Sequence, residues 1–173
     1  MEKQDIKVLY IVLRYLLILL FGLGNFYLIY KIFAPITVYL SYFMLSIFYN
    51  PVVLNNVIFI NNYEIEIISS CIAGSAYFFL LGLNLSVPMD YKKRIYTLFC
   101  AVLIFLSLNV LRIVFLSSLF INDCIYFDVI HKFLWWFFST FLILFIWFSE
   151  VLIFKIKPIP IYSDFKFVKR LIK

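Results

Sequence analysis

Long apolar runs and short clusters of charged residues alternate along this chain. The apolar runs cover about residues 8–32, 72–87, 95–120 and 133–154. A helix needs about 20 residues to cross the hydrocarbon core of a membrane, and the second run is at the lower edge of the usable range. The pattern therefore predicts an all-α membrane protein with four transmembrane helices, in a single domain that spans residues 1–173. The first run is too long for a signal peptide and is expected to stay as an anchor.

A fifth apolar run, at residues 35–49 (PITVYLSYFMLSIFY), is too short to be assigned by length alone. The basic residues decide its place, since Lys and Arg cluster at residues 3–14, 92–94 and 155–173. Four crossings put all three clusters on the cytoplasmic side, whereas a fifth would put the middle one outside. We therefore expect residues 35–49 to form an interfacial helix on the outer surface. The chain would be a multi-pass protein of the cell membrane, with both termini cytoplasmic.

The periodicity changes from helical to strand-like at residues 57–68 (VIFINNYEIEII). Two alternating, β-branched runs flank an Asn-Asn pair at 61–62, and Asn tolerates the positive φ of a tight turn. This predicts a small extracytoplasmic β-hairpin. Glu64 and Glu66 are two residues apart on the second strand, so they share one face. A solvated strand face is favoured over a catalytic pair of carboxylates.

The composition agrees with a membrane protein and excludes a soluble domain. The chain is 66% hydrophobic and 14% charged, and its mean hydropathy is +1.07. Soluble domains of this size do not have such values. The net charge of +6 could suggest a nucleic acid partner, but the cations lie beside apolar runs, where they orient the chain and contact anionic lipid. No binding of nucleic acid is expected.

Four polar residues are predicted to meet near the outer face. Arg112 lies inside the apolar stretch LSLNVLRIVFL, where a cation costs at least about 2.5 kcal/mol and so indicates a function. Asn109 is three residues earlier and shares its helix face. Cys71 is at the outer start of the second span, and His131 is at the outer start of the fourth. The side chain of Arg112 can extend outward to reach both.

This combination is suited to acyl transfer. A thiolate is a strong nucleophile, an imidazole can give a proton to a leaving amine, and a guanidinium can stabilise an oxyanion. Each residue also has a simpler interpretation. Cysteines in membrane helices are mostly small packing residues, and a histidine at a span boundary is often only interfacial.

The order of three segments resembles a known family. A hairpin that leads into SSCIAGSAYFFLL, then NVLR in the next span, then DVIHKF at the start of the last, is similar to the exosortase and archaeosortase family of membrane cysteine transpeptidases. The short pacearchaeosortases are the most similar type. The resemblance covers about residues 35–154. It departs from the commonest pattern at Ile72 and Ala73, where many members have Ser or Thr and then Gly.

The resemblance implies roles for particular residues. Cys71 would be the nucleophile, Arg112 the essential arginine and His131 the essential histidine. The role expected of Asn109, to orient the guanidinium or a substrate carbonyl, comes from its place on the helix face of Arg112 and not from the resemblance. The substrates would be secreted proteins with a C-terminal sorting signal made of a short motif, a hydrophobic helix and a basic tail. Cleavage at the motif would be followed by transfer of the new C-terminus to a membrane lipid acceptor. The active site would face the extracytoplasmic side.

Alternatives remain for the cysteines and for the partner of the histidine. The chain has three cysteines and no C-x-x-C pair, so a thiol oxidoreductase is disfavoured. A disulfide between Cys71 and Cys124 would leave no nucleophile, and Cys100 is expected to be a packing residue. Asp123 or Asp128 could orient the histidine, although either could equally be a solvated loop residue or a charge at a helix N-terminus.

Other functions are less well supported. With one histidine and no Gly-rich phosphate loop, the chain is expected to need no metal and no cofactor. The runner-up is a small membrane scaffold, or a carrier of lipid or anionic solute that uses Arg112. A carrier would have polar residues along a path through both leaflets, whereas here they gather near one face. Trp135 and Trp136 are interpreted as an interfacial aromatic belt, and Glu150 as a residue that pairs with Lys155 or extends to the interface.

Overall fold

The computed structural model describes residues 3–24 and 26–172, with side chains at 6–24 and 26–169. The helices are α1 (Lys3–Leu23), α2 (Tyr27–Leu45), α3 (Ser69–Ile72), α4 (Gly74–Leu85), α5 (Tyr91–Ile121), α6 (Phe127–Phe133), α7 (Ser139–Ile153) and α8 (Tyr162–Ile172), with a π-helical segment (Leu134–Phe138) between α6 and α7. Lys173, at the end of the third basic cluster, lies outside the described residues.

The predicted fold class is confirmed. Within the described residues, four helical stretches are long and apolar enough to cross a membrane, namely Ile6–Leu23, Tyr27–Leu45, Tyr91–Ile121 and Phe127–Ile153. The stretch Ser69–Leu85 is also apolar but shorter. A small antiparallel sheet accompanies these helices.

The first predicted span and the predicted interfacial helix have different boundaries in the structure. The run predicted as one helix at 8–32 is divided, because α1 ends at Leu23 and Phe26 has a left-handed φ of 57°. Helix α2 then runs through most of 35–49, including Pro35. It does not lie alone on the outer surface, since Val38 and Leu45 are fully buried against α5 and the sheet. Burial of this face explains why the helix follows α5.

Helices α1 and α2 follow one another in the same direction along α5. Tyr10 of α1 lies beside Arg94 in the first turn of α5, where the guanidinium is 6.0 Å from the ring centre. Tyr49, just after α2, accepts a hydrogen bond from Asn122 at the end of α5, at 3.4 Å. Residues 10 and 49 therefore lie at opposite ends of the bundle.

The three basic clusters meet at the same end of the bundle. Arg14 forms a buried ion pair with Asp164 of the C-terminal helix α8. Arg14 and Arg94 both donate to the carbonyl oxygen of Val87, at 3.4 and 2.8 Å. These contacts join α1, the α4–α5 connection and α8. The membrane face on which this end lies stays a prediction from the positive-inside rule.

The predicted hairpin is present and has an additional strand. Strands β2 (Val57–Ile60) and β3 (Tyr63–Glu66) pair around Asn61, whose φ is 53°. Strand β1 (Val52–Leu54) pairs with the other side of β2, so the order is β1-β2-β3 and β3 is an edge strand. Strand β1 is not predicted from the sequence, because three residues are too few to show an alternation. The sheet packs its buried isoleucines against α2 and α5.

Candidate active site

Cys71 lies in a single helical turn between the sheet and α4. Its backbone N–H donates to the carbonyl oxygen of Ile68 at 2.9 Å, which starts α3. The turn ends at Ala73, which has a φ of 57° and a ψ of 50°, a left-handed conformation that costs a non-glycine residue about 1–2 kcal/mol. Gly74 follows because there is no room for a side chain: an added Cβ would be 2.6 Å from the ring of Tyr30. The chain therefore turns sharply just after the thiol.

Arg112 holds the backbone of this turn. Its Nη2 donates to the carbonyl oxygen of Cys71 at 3.3 Å, and its Nη1 donates to Oγ of Ser139 at 2.6 Å. Asn109 donates to the same carbonyl oxygen of Cys71 at 2.9 Å. The Nε of Arg112 is buried and has no hydrogen-bond partner among the residues that the structure describes. The guanidinium thus lies beside the thiol-bearing residue and contacts two further elements.

His131 is placed by α6 and by the ring before it. The imidazole stacks on Phe127 one turn earlier, with ring centres 5.6 Å apart and planes within 8°. Neither Asp123 nor Asp128 forms a hydrogen bond with His131 among the described residues. Asp123 instead accepts a hydrogen bond from the hydroxyl of Tyr63 at 2.8 Å, and this bond raises the pKa of Tyr63. The loop before α6 is thereby joined to strand β3.

A π-helical segment aligns His131 with Ser139. In a regular α-helix two residues eight positions apart differ by about 80° around the axis. The π turns at Leu134–Phe138 rotate less per residue, which reduces that angle. The Ser139 hydroxyl donates to the carbonyl oxygen of Leu134, five residues earlier, at 3.2 Å. Helix α6, the π-helical segment and α7 follow one another directly. Together they carry both the imidazole of His131 and the hydroxyl of Ser139, which accepts a hydrogen bond from Arg112.

One cavity of about 340 Å³ brings the predicted residues together. Cys71, Arg112 and His131 all line it. Asn109 does not line the cavity, because its amide is behind the carbonyl of Cys71. The remaining wall is mostly apolar, and its lining residues include Ile113, Leu116, Phe120 and Phe127. Apolar walls of this kind lower the local dielectric constant and so strengthen electrostatic interactions beside them.

The acidic residues of the hairpin also reach this cavity. Glu64 and Glu66 are both exposed, as a solvated strand face predicts, yet both line the cavity beside Cys71. Trp135, interpreted from the sequence as part of an interfacial belt, lines it too. Ser139 is not among the site residues predicted from the sequence. A hydroxyl directly after the aromatic run LWWFF in a membrane helix was the available signal.

The other chemical candidates lie elsewhere. All three cysteines are free thiols, so Cys71 and Cys124 do not form the disulfide that was considered. Glu150 is 3% exposed in the half of α7 away from the cavity, and among the described residues it forms no ion pair with Lys155. Within the described part of the chain, no group of three His, Cys, Asp or Glu residues could hold a metal ion.

Comparison with known proteins identifies one family. Residues 4–148 match the family model described as transmembrane exosortase (Exosortase_EpsH). No curated protein and no solved structure matches the chain. The matched range contains the cavity and its three polar residues. The family expected from the residues is therefore confirmed, whereas the pacearchaeosortase subtype stays a prediction.

Proposed function

This chain belongs to the transmembrane exosortase family, and from that premise we propose that it is a cysteine transpeptidase. It cleaves the C-terminal sorting signals of secreted proteins and transfers the new C-terminus to a membrane lipid. The observation that supports this best is the single cavity lined by Cys71, Arg112 and His131. A nucleophile, a fixed cation and a proton carrier are the groups that acyl transfer needs.

The first step is attack by the thiolate of Cys71 on the carbonyl carbon of the scissile peptide bond. The new C–S bond pushes the carbonyl electrons onto oxygen, and a tetrahedral oxyanion forms. Arg112 lies beside the thiol and stabilises this charge. Its guanidinium is fixed in advance by Ser139 and by the carbonyl of Cys71, so little reorganisation is needed when the charge develops.

The second step is loss of the amine. Protonated His131 gives its proton to the nitrogen as the C–N bond breaks, which leaves a thioester on Cys71 and a neutral imidazole. That imidazole then takes a proton from the nucleophilic group of the lipid acceptor. The acceptor attacks the thioester and displaces the thiolate, so both protein groups return to their starting states.

The direction of the chain supports an extracytoplasmic site. The basic ends of α1, α5 and α8 lie at the end of the bundle opposite the cavity. The positive-inside rule assigns such an end to the cytoplasm, with both termini. A secreted substrate with its hydrophobic helix still in the bilayer would then present its motif at the level of Cys71.

The test uses secreted proteins of the source genome that share a short motif, a hydrophobic segment and a basic tail. Each is co-expressed with the full chain, and its C-terminus is examined by intact mass for shortening and an attached lipid. We expect the wild type to produce the shortened, lipid-linked form and Cys71→Ala to leave the precursor intact. Cys100→Ala is the matched control, because Cys100 is also half-buried but does not line the cavity.

Processing by the Cys71→Ala variant would refute the proposal. The alternative, a scaffold or a carrier that uses Arg112, would then have to be considered. A carrier predicts that Arg112 is available to an anionic solute. Cys71 and His131 line the same cavity as Arg112, and a carrier needs neither a thiol nor an imidazole there, which favours the enzyme.

A further inference from the structure

Strand β3 has main-chain groups that the fold leaves unused. The N–H of Ile67, just after β3, donates to the carbonyl oxygen of Asn56 at 2.9 Å. In an antiparallel pair every second residue bonds to the neighbouring strand. Because the backbone of Ile67 bonds to Asn56, the backbone of Ile65, two residues earlier, bonds to β2 in the same way. The N–H and C=O groups of Glu64 and Glu66 point in the opposite direction, to the free edge of the sheet. No described residue forms a hydrogen bond with those four groups.

The free edge of β3 lies against the cavity. All five residues from 64 to 68 line it, together with Cys71. Successive side chains of a strand point to opposite faces, so a cavity that contacts every residue in a row must follow the edge of the strand. Four residue steps at about 3.3 Å make this edge about 13 Å long. It leads directly to the turn that holds the thiol.

We propose that the substrate's sorting motif binds as an additional strand on β3, which places its scissile bond at Cys71. This inference rests on the proposed function and adds the mode of recognition. An extended peptide would form up to four main-chain hydrogen bonds with Glu64 and Glu66, which is how peptides add to exposed sheet edges elsewhere. The apolar wall formed by Leu116, Phe120 and Phe127 closes the other side of the cavity.

The same geometry sets a charge preference. Glu64 and Glu66 are exposed, pair with Phe59 and Val57 and share one face of the sheet. Side chains of a bound strand on that face would be their cross-strand neighbours. Opposite charges in such positions stabilise the pair and like charges destabilise it. The bound segment is therefore neutral or basic at these positions, and not acidic.

The experiment uses the full chain in nanodiscs and peptides with an electrophile that alkylates the thiol. The probes are acetyl-Lys-Ala-Lys-Ala and acetyl-Ala-Lys-Ala-Lys chloromethyl ketones, their Glu counterparts, and acetyl-Ala chloromethyl ketone, which is too short to use the edge. Glu64→Pro and Glu66→Pro each remove one outward N–H. Proline is tolerated there because that N–H is not part of the ladder. Glu→Gln at each position keeps the N–H and removes the charge.

A matched control exists on the opposite edge of the sheet. Val53 of β1 also has its N–H directed outward, since it pairs with Ile58, the β2 residue whose backbone bonds to β3. It does not line the cavity. We expect Glu64→Pro and Glu66→Pro to slow alkylation by the tetrapeptides by about 3- to 10-fold, the effect of one lost hydrogen bond. Val53→Pro should not slow it, and the rate with acetyl-Ala chloromethyl ketone, measured for each variant, corrects for any change in the reactivity of the thiol itself.

The charge preference gives a second expected result. A Lys peptide should react faster than its Glu counterpart with the wild type, and the difference should shrink in Glu64→Gln and Glu66→Gln. Wild-type rates in both proline variants would overturn the proposal. So would a wild-type thiol that the tetrapeptides alkylate no faster than the short reagent does.

A readout without the thiol separates this proposal from the proposed function. Fluorescein-labelled (Lys-Ala)₂ peptide amide is titrated against Cys71→Ala protein, and binding is followed by anisotropy. The proline changes should weaken binding in this background as well, and unchanged binding would again overturn the edge proposal. Cys71 could react with none of the electrophiles while the proline changes still weaken binding of the labelled peptide. In that case the nucleophile assignment fails and the edge proposal stands.

Discussion

The side-chain amide of Asn109 donates to the carbonyl oxygen of Cys71 at 2.9 Å. The sequence suggested that Asn109 would orient a guanidinium or a substrate carbonyl. It instead holds the main chain of the residue that we propose as nucleophile, and Arg112 donates to the same oxygen. The short helix α3 is therefore held against α5 through one backbone atom.

Asn109→Leu should slow substrate processing about 10-fold or more and leave the protein folded. The change removes one of the two hydrogen bonds to the carbonyl oxygen of Cys71, and this allows the thiol to move. Leaving a buried polar group partly without hydrogen bonds costs about 1–3 kcal/mol of stability. The matched control is Asn84→Leu, which removes an equally buried bond to Thr97, at 2.6 Å, far from the cavity. Both variants should lose thermal stability, but only Asn109→Leu should lose activity. Equal activity in the two would show that Asn109 has no positioning role.

Arg112→Lys should insert normally and process substrate about 10² to 10³-fold more slowly, the usual cost of losing an oxyanion donor. A lysine has one ammonium group and cannot reproduce the fork that contacts both Ser139 and the Cys71 carbonyl. Arg94→Lys is the control, because Arg94 also donates to two carbonyl oxygens but at the opposite end of the bundle. Full activity of Arg112→Lys would mean that only its charge matters.

The meeting of Cys71, Arg112 and His131 could be predicted because a helix crosses the membrane with a nearly fixed number of residues. Once the positive-inside rule sets the direction of each span, the positions of Cys71, Arg112 and His131 along their helices fix their depth. All three then fall near one face. In the structure all three residues line one cavity, which agrees with their predicted depths in the membrane.

The path of α2 and the support of Arg112 could not be predicted in this way. Whether residues 35–49 lie on the membrane or follow α5 depends on tertiary contacts of Val38 and Leu45, which no periodicity shows. The bond from Arg112 to Ser139 depends on the π-helical segment, and local sequence does not determine that segment. Strand β1 is only three residues long and exists because β2 offers it a partner.

Residues 62 and 92 should lie on opposite sides of the membrane. In a chain without its three native cysteines, Asn62→Cys and Lys92→Cys are each labelled in intact cells with a membrane-impermeant maleimide. Both positions are exposed, so burial does not limit the reaction. We expect labelling of residue 62 from outside and of residue 92 only after permeabilisation. The reverse pattern would place the cavity on the cytoplasmic side and contradict a secreted substrate.

Gly74→Ala should lower both thermal stability and activity. The added Cβ would be 2.6 Å from the ring of Tyr30, and overpacking of this kind costs about 1–3 kcal/mol. Gly74→Ala should cost less stability in a Tyr30→Ala background than in the wild type, since that background lacks the clashing ring. Gly82→Ala in the same helix is the control, because a Cβ there meets no atom within 4 Å. An equal cost of Gly74→Ala in both backgrounds would show that the clash is not the cause.

His131→Ala should stop turnover for a reason that can be separated from folding. The departing amine needs a proton, and loss of a general acid typically costs about 10² to 10⁴ in rate. His131 is half-buried on the cavity wall and stacks on Phe127, so the alanine variant leaves a space that a small imidazole could enter. Added imidazole should therefore restore part of the processing rate, and it should do nothing for Cys71→Ala.

The control is Lys132→Ala, because Lys132 is adjacent, exposed and outside the cavity lining, and its loss should leave the rate unchanged. The measurement is the initial rate of substrate shortening at several imidazole concentrations, with thermal stability recorded for each variant. A His131→Ala protein that is folded and processes substrate at the normal rate would show that another group supplies the proton.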